Sequence, residues 1–167
     1  AYFSDSVFNL AEDSYMRAGI VSNAVNMHAK GSTWAVHAVR LHADVTRQAF
    51  AERDLDNFGW NFGVVDAGSG GDGLGLFVAS TTNDSVATCA ATTVQGEPYS
   101  FIATYPGSGA AHTETKFFFN GRSMPVTNGY GNTAGIIDDK LGELFIGRAH
   151  YWWNRNHGGY LFIVAGF

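Results

Sequence analysis

Lys116-Phe-Phe-Phe-Asn-Gly-Arg122, then Gly142-Glu-Leu-Phe-Ile-Gly-Arg148, then Gly158-Gly-Tyr-Leu-Phe-Ile-Val-Ala-Gly-Phe167 are the three stretches that decide the fold. The first is an apolar run closed by Asn120-Gly121, a pair that accepts positive φ and so signals a tight hairpin turn. The other two are apolar runs bounded by glycine, which read as strands buried on at least one side. A polar loop is expected between the first stretch and the second.

Working outward, further strands are expected over Thr33–Ala43, Thr46–Ala51, Gly59–Val65, Gly73–Ala79, Ser85–Val94 and Tyr99–Tyr105. The last of these is framed by Pro98 and Pro106, and proline is confined to strand ends and edges. Asp66-Ala-Gly-Ser-Gly-Gly-Asp-Gly73 reads as a flexible connection between two strands. Val7–Met16 is expected to hold a short helix, with Asp5 or Ser6 as its cap. Many short strands separated by glycine-rich turns predict an all-β antiparallel sandwich or barrel.

The chain has 167 residues, enough for one domain with a real core. Residues 1–167 are therefore read as a single domain, with 1–32 as an N-terminal extension and first strand. Only 15% of residues are charged, against roughly 25% in ordinary soluble domains. Either neighbours cover part of the surface, or uncharged polar residues solvate it. The net charge is −5 and the 10 Lys and Arg residues are scattered, which argues against nucleic-acid and anionic-membrane partners. No apolar run is long enough for a membrane-spanning helix, and no secretory signal is expected at the N-terminus. Cys89, the one cysteine, lies among small and β-branched residues and reads as a buried structural thiol.

Thr33-Trp-Ala-Val-His-Ala-Val-Arg-Leu-His-Ala-Asp44 resembles the opening strand of concanavalin A-like lectin/glucanase domains of the laminin-G type. Gly59-Trp60-Asn-Phe-Gly-Val64 resembles the next strand, and Tyr99–Tyr105 the strand before a hairpin. Phe117-Phe-Phe-Asn-Gly121, Leu144-Phe-Ile-Gly-Arg148 and Gly158-Gly-Tyr-Leu-Phe-Ile163 resemble the hairpin, the following strand and the closing strand. The resemblance spans about residues 33–167 and implies a jelly-roll of two packed antiparallel sheets. Domains of this type serve as lectins, adhesins, glucanases and coat or stalk parts of bacteriophage particles.

Catalytic patterns are weak. Glucanases of this fold use Glu-x-Asp-x-Glu on one strand, so that alternation puts three carboxylates on one face. Glu52-Arg-Asp54-Leu-Asp56 departs at the last position and runs straight into Asn57 and Gly59, so it reads as a solvated charged turn. Calcium-loop spacing around Asp54 and Asp56 fails because Phe58 occupies a ligand position. Gly68-Ser-Gly-Gly-Asp-Gly73 matches a dinucleotide pattern, but a strand is expected to follow where the chemistry requires a helix N-terminus. His37 and His42 lie five apart and face opposite ways on one strand. His37 itself reads as a hydrogen-bonded core or rim residue. Neither a cofactor nor a metal is expected.

Tyr151-Trp152-Trp153-Asn154-Arg155-Asn156-His157 lies between two apolar strands. Its rings offer flat apolar faces to sugar C–H groups, and Asn154, Arg155 and His157 add directional hydrogen bonds. Tyr151, Trp152, Trp153, Asn154, Arg155 and His157 are the expected ligand- or partner-binding residues. The leading expectation is a non-enzymatic structural or adhesion module on the outside of an assembly such as a virion capsid or tail. It would contact copies of itself, other subunits or a host surface, at a virion or extracellular location. A lectin-type carbohydrate-binding module with glycan partners is the alternative, and a glycoside hydrolase stands third.

Overall fold

The computed structural model of the chain describes residues 8–10, 16–20, 31–41, 49–53, 59–66, 72–79, 84–107, 111–131, 143–147 and 159–166. Their strands are β1 (Phe8–Leu10), β2 (Met16–Ile20), β3 (Ser32–Arg40), β4 (Ala49–Arg53), β5 (Trp60–Asp66), β6 (Asp72–Val78) and β7 (Ser85–Cys89), followed by β8 (Pro98–Tyr105), β9 (Lys116–Phe119), β10 (Arg122–Met124), β11 (Val126–Tyr130), β12 (Glu143–Ile146) and β13 (Gly159–Gly166). A single 3₁₀ turn, His112–Glu114, interrupts them among the described residues.

Period-two chemistry along β8 shows why these segments are strands. Tyr99, Phe101, Ala103 and Tyr105 are buried, while Ser100, Ile102 and Thr104 between them are only half-buried. One edge of the strand therefore belongs to a core and the other to a surface. Among the described residues the strands form a six-stranded sheet, in the order β1-β13-β3-β8-β9-β10, and a seven-stranded sheet, in the order β11-β7-β6-β5-β4-β12-β2. The pairings are antiparallel, from β3 on β8 to β5 on β6. The fold is thus an all-β jelly-roll sandwich of two antiparallel sheets.

Aromatic rings fill the space between the sheets. Phe62 of the seven-stranded sheet stacks on Phe101 of the six-stranded sheet at 5.3 Å between centroids, with planes 7° apart. Trp34 meets Trp60 at 4.3 Å, and Phe50 meets Tyr99 at 6.2 Å. Each such pair adds about 0.5–1.5 kcal/mol beyond simple burial. The indole N–H groups of Trp34 and Trp60 have no acceptor, so these side chains contribute packing and not polar contacts.

The Asn120-Gly121 turn forms as expected. Both residues have positive φ, 48° and 76°, and Arg122 pairs back onto Phe119. The glycine-rich connection also lies between two strands, with Asp66 opposite Asp72. Gly73 enters β6 and no helix follows it, which removes the dinucleotide pattern. Three local expectations are corrected. Phe8–Leu10 is extended and not helical, because alternating Phe8 and Leu10 pair with the edge of β13. β7 stops at Cys89, five residues short of Val94, because the chain leaves one sheet there to reach the other. Gly96 N–H then bonds to the Arg40 carbonyl, at the end of β3. The stretch expected to be a polar loop contains β10 and β11. The N-terminal region contributes β1 and β2, one to each sheet.

Two stability predictions follow from the core. A methyl group on Gly75 would run into the Ala87 carbonyl oxygen and lie 2.9 Å from Val65 Cγ2. Gly75→Ala is therefore expected to destabilise the fold by about 1–3 kcal/mol, read from the urea midpoint. Burial pushes the Cys89 thiol above its ordinary range. Burial likewise raises the Tyr99 phenol, with the Arg40 guanidinium pulling weakly the other way. The folded state thus keeps protons that the unfolded chain loses at about pH 8.5 and about pH 10. Their stabilisation is complete below those values and is lost as the pH rises through them. The thermal midpoint should fall from about pH 9 upward, and Cys89→Ala should remove the first part of that fall.

Candidate functional site

Tyr151, Trp152, Trp153, Asn154, Arg155 and His157 lie outside the described residues, as do Asp54 and Asp56. In sequence the first group directly precedes β13. The site is therefore built from the outward faces of the two sheets.

On the six-stranded sheet, alternation turns Ala35, His37 and Val39 of β3 outward, opposite Ile102, Ser100 and Pro98 of β8. β13 does not alternate. Its register shifts between Leu161 and Ile163, so that Leu161 pairs with Ala38 and Ile163 with His37. The extra residue is Phe162. Leu161 and Val164 belong to the core, and between them Phe162 and Ile163 both leave it. Such a bulge places two consecutive side chains where regular pleating allows one. Phe162 comes to 5.3 Å from the His37 ring and 6.4 Å from Tyr160, measured between centroids. Ile163 is 45% exposed.

The same face carries directional groups. His37 Nδ1 and Ser100 Oγ are 2.9 Å apart. Ser100 N–H donates to Asn120 Oδ1 at 2.8 Å, and Asn120 N–H donates to the Ser100 carbonyl at 2.9 Å. Thr33 and Thr104 share a hydroxyl–hydroxyl bond of 3.1 Å two rungs away. His37 thus has the hydrogen-bonded ring that its sequence context indicated, and of the two places expected for it, core or rim, it takes the rim. Rings beside hydrogen-bonding groups on an open face suit a ligand with both apolar C–H surface and hydroxyl groups.

The outward face of the seven-stranded sheet is different. Pairing sets Arg17, Phe145, Glu52, Asn61 and Phe77 in one row across five strands. Arg17 forms an ion pair with Glu143 and lies over the Phe145 ring. Glu52 is fully buried, and its Oε2 accepts a 2.6 Å hydrogen bond from Asn61 Nδ2. The solvated-turn reading of Glu52-Arg53 is corrected accordingly. Both residues are strand residues with no exposure, because β4 is an interior strand between β5 and β12. Among the described residues no group of three or more His, Cys, Asp or Glu side chains could hold a metal ion. The open face with paired rings and hydroxyls is therefore the candidate site, and the buried Glu52–Asn61 pair is a structural contact of the opposite sheet.

Sequence reasoning missed Phe162 and Ser100. An unbroken apolar run such as Tyr160–Ala165 gives no hint of a bulge, and a serine in a strand gives no hint of its partner.

No protein-family model matches the sequence, and no curated protein matches it. Solved structures do. The CBM40 of the Ruminococcus gnavus IT-sialidase, solved bound to α2,3-sialyllactose, superposes with a TM-score of 0.61 at 12% identity, covering 98% of this chain and 90% of that one. A Trypanosoma rangeli sialidase in complex with 2,3-difluorosialic acid matches at 0.45 and 11% identity, over 83% of this chain and 20% of that one. Sheep galectin-11 with glycerol matches at 0.36 and 9% identity, over 95% and 99%. The first likeness agrees with the jelly-roll sandwich; at such identities the shared property is the fold.

The buried pair generates a prediction. Asn61→Ala removes the amide that donates to Glu52 and leaves a buried carboxylate short of a partner. The variant should lose about 1.5–3 kcal/mol in urea or guanidinium unfolding.

Proposed function

We propose that this domain is a non-catalytic, lectin-type carbohydrate-binding module that takes a glycan on the outward face of its six-stranded sheet. The observation that carries the reading is the β13 bulge. It turns Phe162 and Ile163 outward together, beside His37 and Tyr160. Exposing Ile163 and part of Phe162 forgoes burial worth about 1.5–3 kcal/mol for each large apolar side chain. The likeness in fold to a module solved with a bound sialylated sugar supports the reading. Trp152 and Trp153, with Asn154, Arg155 and His157, directly precede β13 in sequence and are proposed to add rings and hydrogen bonds to the same face. The proposed location is a cell-exterior or particle surface, where glycans are met.

Exposed Ile163 also favours a second reading, in which the face seats a like subunit within an assembly such as a virion capsid or tail. Native mass measurement separates the two: a monomer at high concentration counts against assembly.

Glycan-array binding is the direct test. Phe162→Ala should weaken every hit about fivefold or more while leaving the thermal midpoint nearly unchanged, since a bound sugar loses a stacking face worth about 1 kcal/mol or more. A blank array with a correctly folded protein would end the glycan reading.

A further inference from the structure

The polar contacts behind His37 define a directional hydrogen bond on the open face. Asn120, in its positive-φ turn, grips Ser100 twice: its Oδ1 accepts from Ser100 N–H, and its N–H donates to the Ser100 carbonyl. Ser100 Oγ then reaches His37 Nδ1 at 2.9 Å. On the other side the ring lies against Phe162, 5.3 Å away and tilted by 39°. A ring flip would put a carbon opposite the Ser100 hydroxyl and lose the bond.

A serine hydroxyl can donate or accept, and a neutral imidazole carries one N–H. If Nδ1 held the proton, Ser100 Oγ would accept it. Its own hydroxyl hydrogen would then have no acceptor among the described residues, where His37 is the partner of that oxygen. If Nε2 holds the proton, Ser100 donates to Nδ1, and both that hydroxyl and that nitrogen are satisfied. Nε2 makes no hydrogen bond among the described residues, and it is not a buried atom lacking a partner.

We infer that Ser100 is a positioning residue that holds His37 in the Nε2–H tautomer, so that His37 donates a hydrogen bond to an acceptor oxygen of the ligand. The ligand rests on the glycan reading, but the tautomer does not. Within that reading, the sugar turns a C–H face to Phe162 and an oxygen lone pair to His37. The oxygen is one that can accept: a ring oxygen, a hydroxyl or a carboxylate. Asn120 acts one step further back, by fixing the backbone that carries Ser100.

Two-bond ¹H–¹⁵N correlation spectra of the His37 ring, recorded on unliganded protein at a pH where the ring is neutral, test this directly. The expected pattern is a single Nε2–H tautomer. Ser100→Ala should turn it into a mixture, and Ser100→Thr, which keeps the hydroxyl on a strand-compatible side chain, should restore it. An Nδ1–H pattern, or a Ser100→Ala spectrum identical to that of the parent, overturns the inference. On the same glycan array, Ser100→Ala should weaken the hits about twofold or more, as the ring that can donate falls to a fraction of the population. His37→Gln, which keeps an N–H donor, should lose less than His37→Phe. Hits undiminished in Ser100→Ala would also overturn it. A blank array would remove the glycan reading alone, since the spectra decide the tautomer by themselves.

Discussion

The contact on which everything else depends is the meeting of aromatic rings from the two sheets, with Phe62 flat against Phe101 and Trp34 against Trp60. These rings set the inward side of β3, β5 and β8, and the pleat then dictates what faces out. A slip of one residue in any of these strands would turn its rings to water and its polar side chains into the core. Gly75, closely approached by the neighbouring strand, is part of the same constraint. Register is therefore held from both sides, by large rings within and by missing side chains without.

From that framework the two outer faces diverge. The seven-stranded sheet seals a carboxylate beneath its outer surface and satisfies it with a neighbouring amide. A buried polar group is retained only where its partners are in place, so this region reads as a rigid structural element. The six-stranded sheet keeps its hydroxyls, imidazole and rings at intermediate exposure. It breaks its own alternation once, at Phe162, and that break is what turns an ordinary sheet surface into a surface with something to hold.

Much of the fold was legible because burial writes itself into sequence with a period of two. Tyr99–Tyr105 alternates plainly, Asn120-Gly121 announces its turn, and the glycine run after Asp66 separates two apolar segments. What was not legible depends on distant pairing. β10 and β11 are short and polar and exist because partners are available to them, on β9 and β7. Glu52 and Arg53 looked like turn residues because local charge was visible and the flanking strands β5 and β12 were not. The candidate site was less accessible still. His37 was recognised as a hydrogen-bonded residue of the core or the rim, but its partner Ser100 is 63 positions away. The Trp-rich stretch before β13 drew attention through composition alone, whereas the bulge behind it leaves no compositional trace.

The place of β13 in the strand order has a consequence for how the domain comes into being. It is the latest of the described strands in the chain, yet it lies inside its sheet, between β1 and β3. β3 therefore waits for a neighbour made more than a hundred residues later. A nascent chain emerging from the ribosome can assemble the β4–β5–β6–β7 meander early, but it must hold one flank of β3 open until synthesis reaches Gly159. Long-range closure of this kind slows folding and lengthens the time that apolar edges stay uncovered. The surface carrying His37, Ser100 and Phe162 is consequently among the last parts of this domain to form, and no chain that stops short of β13 can display it.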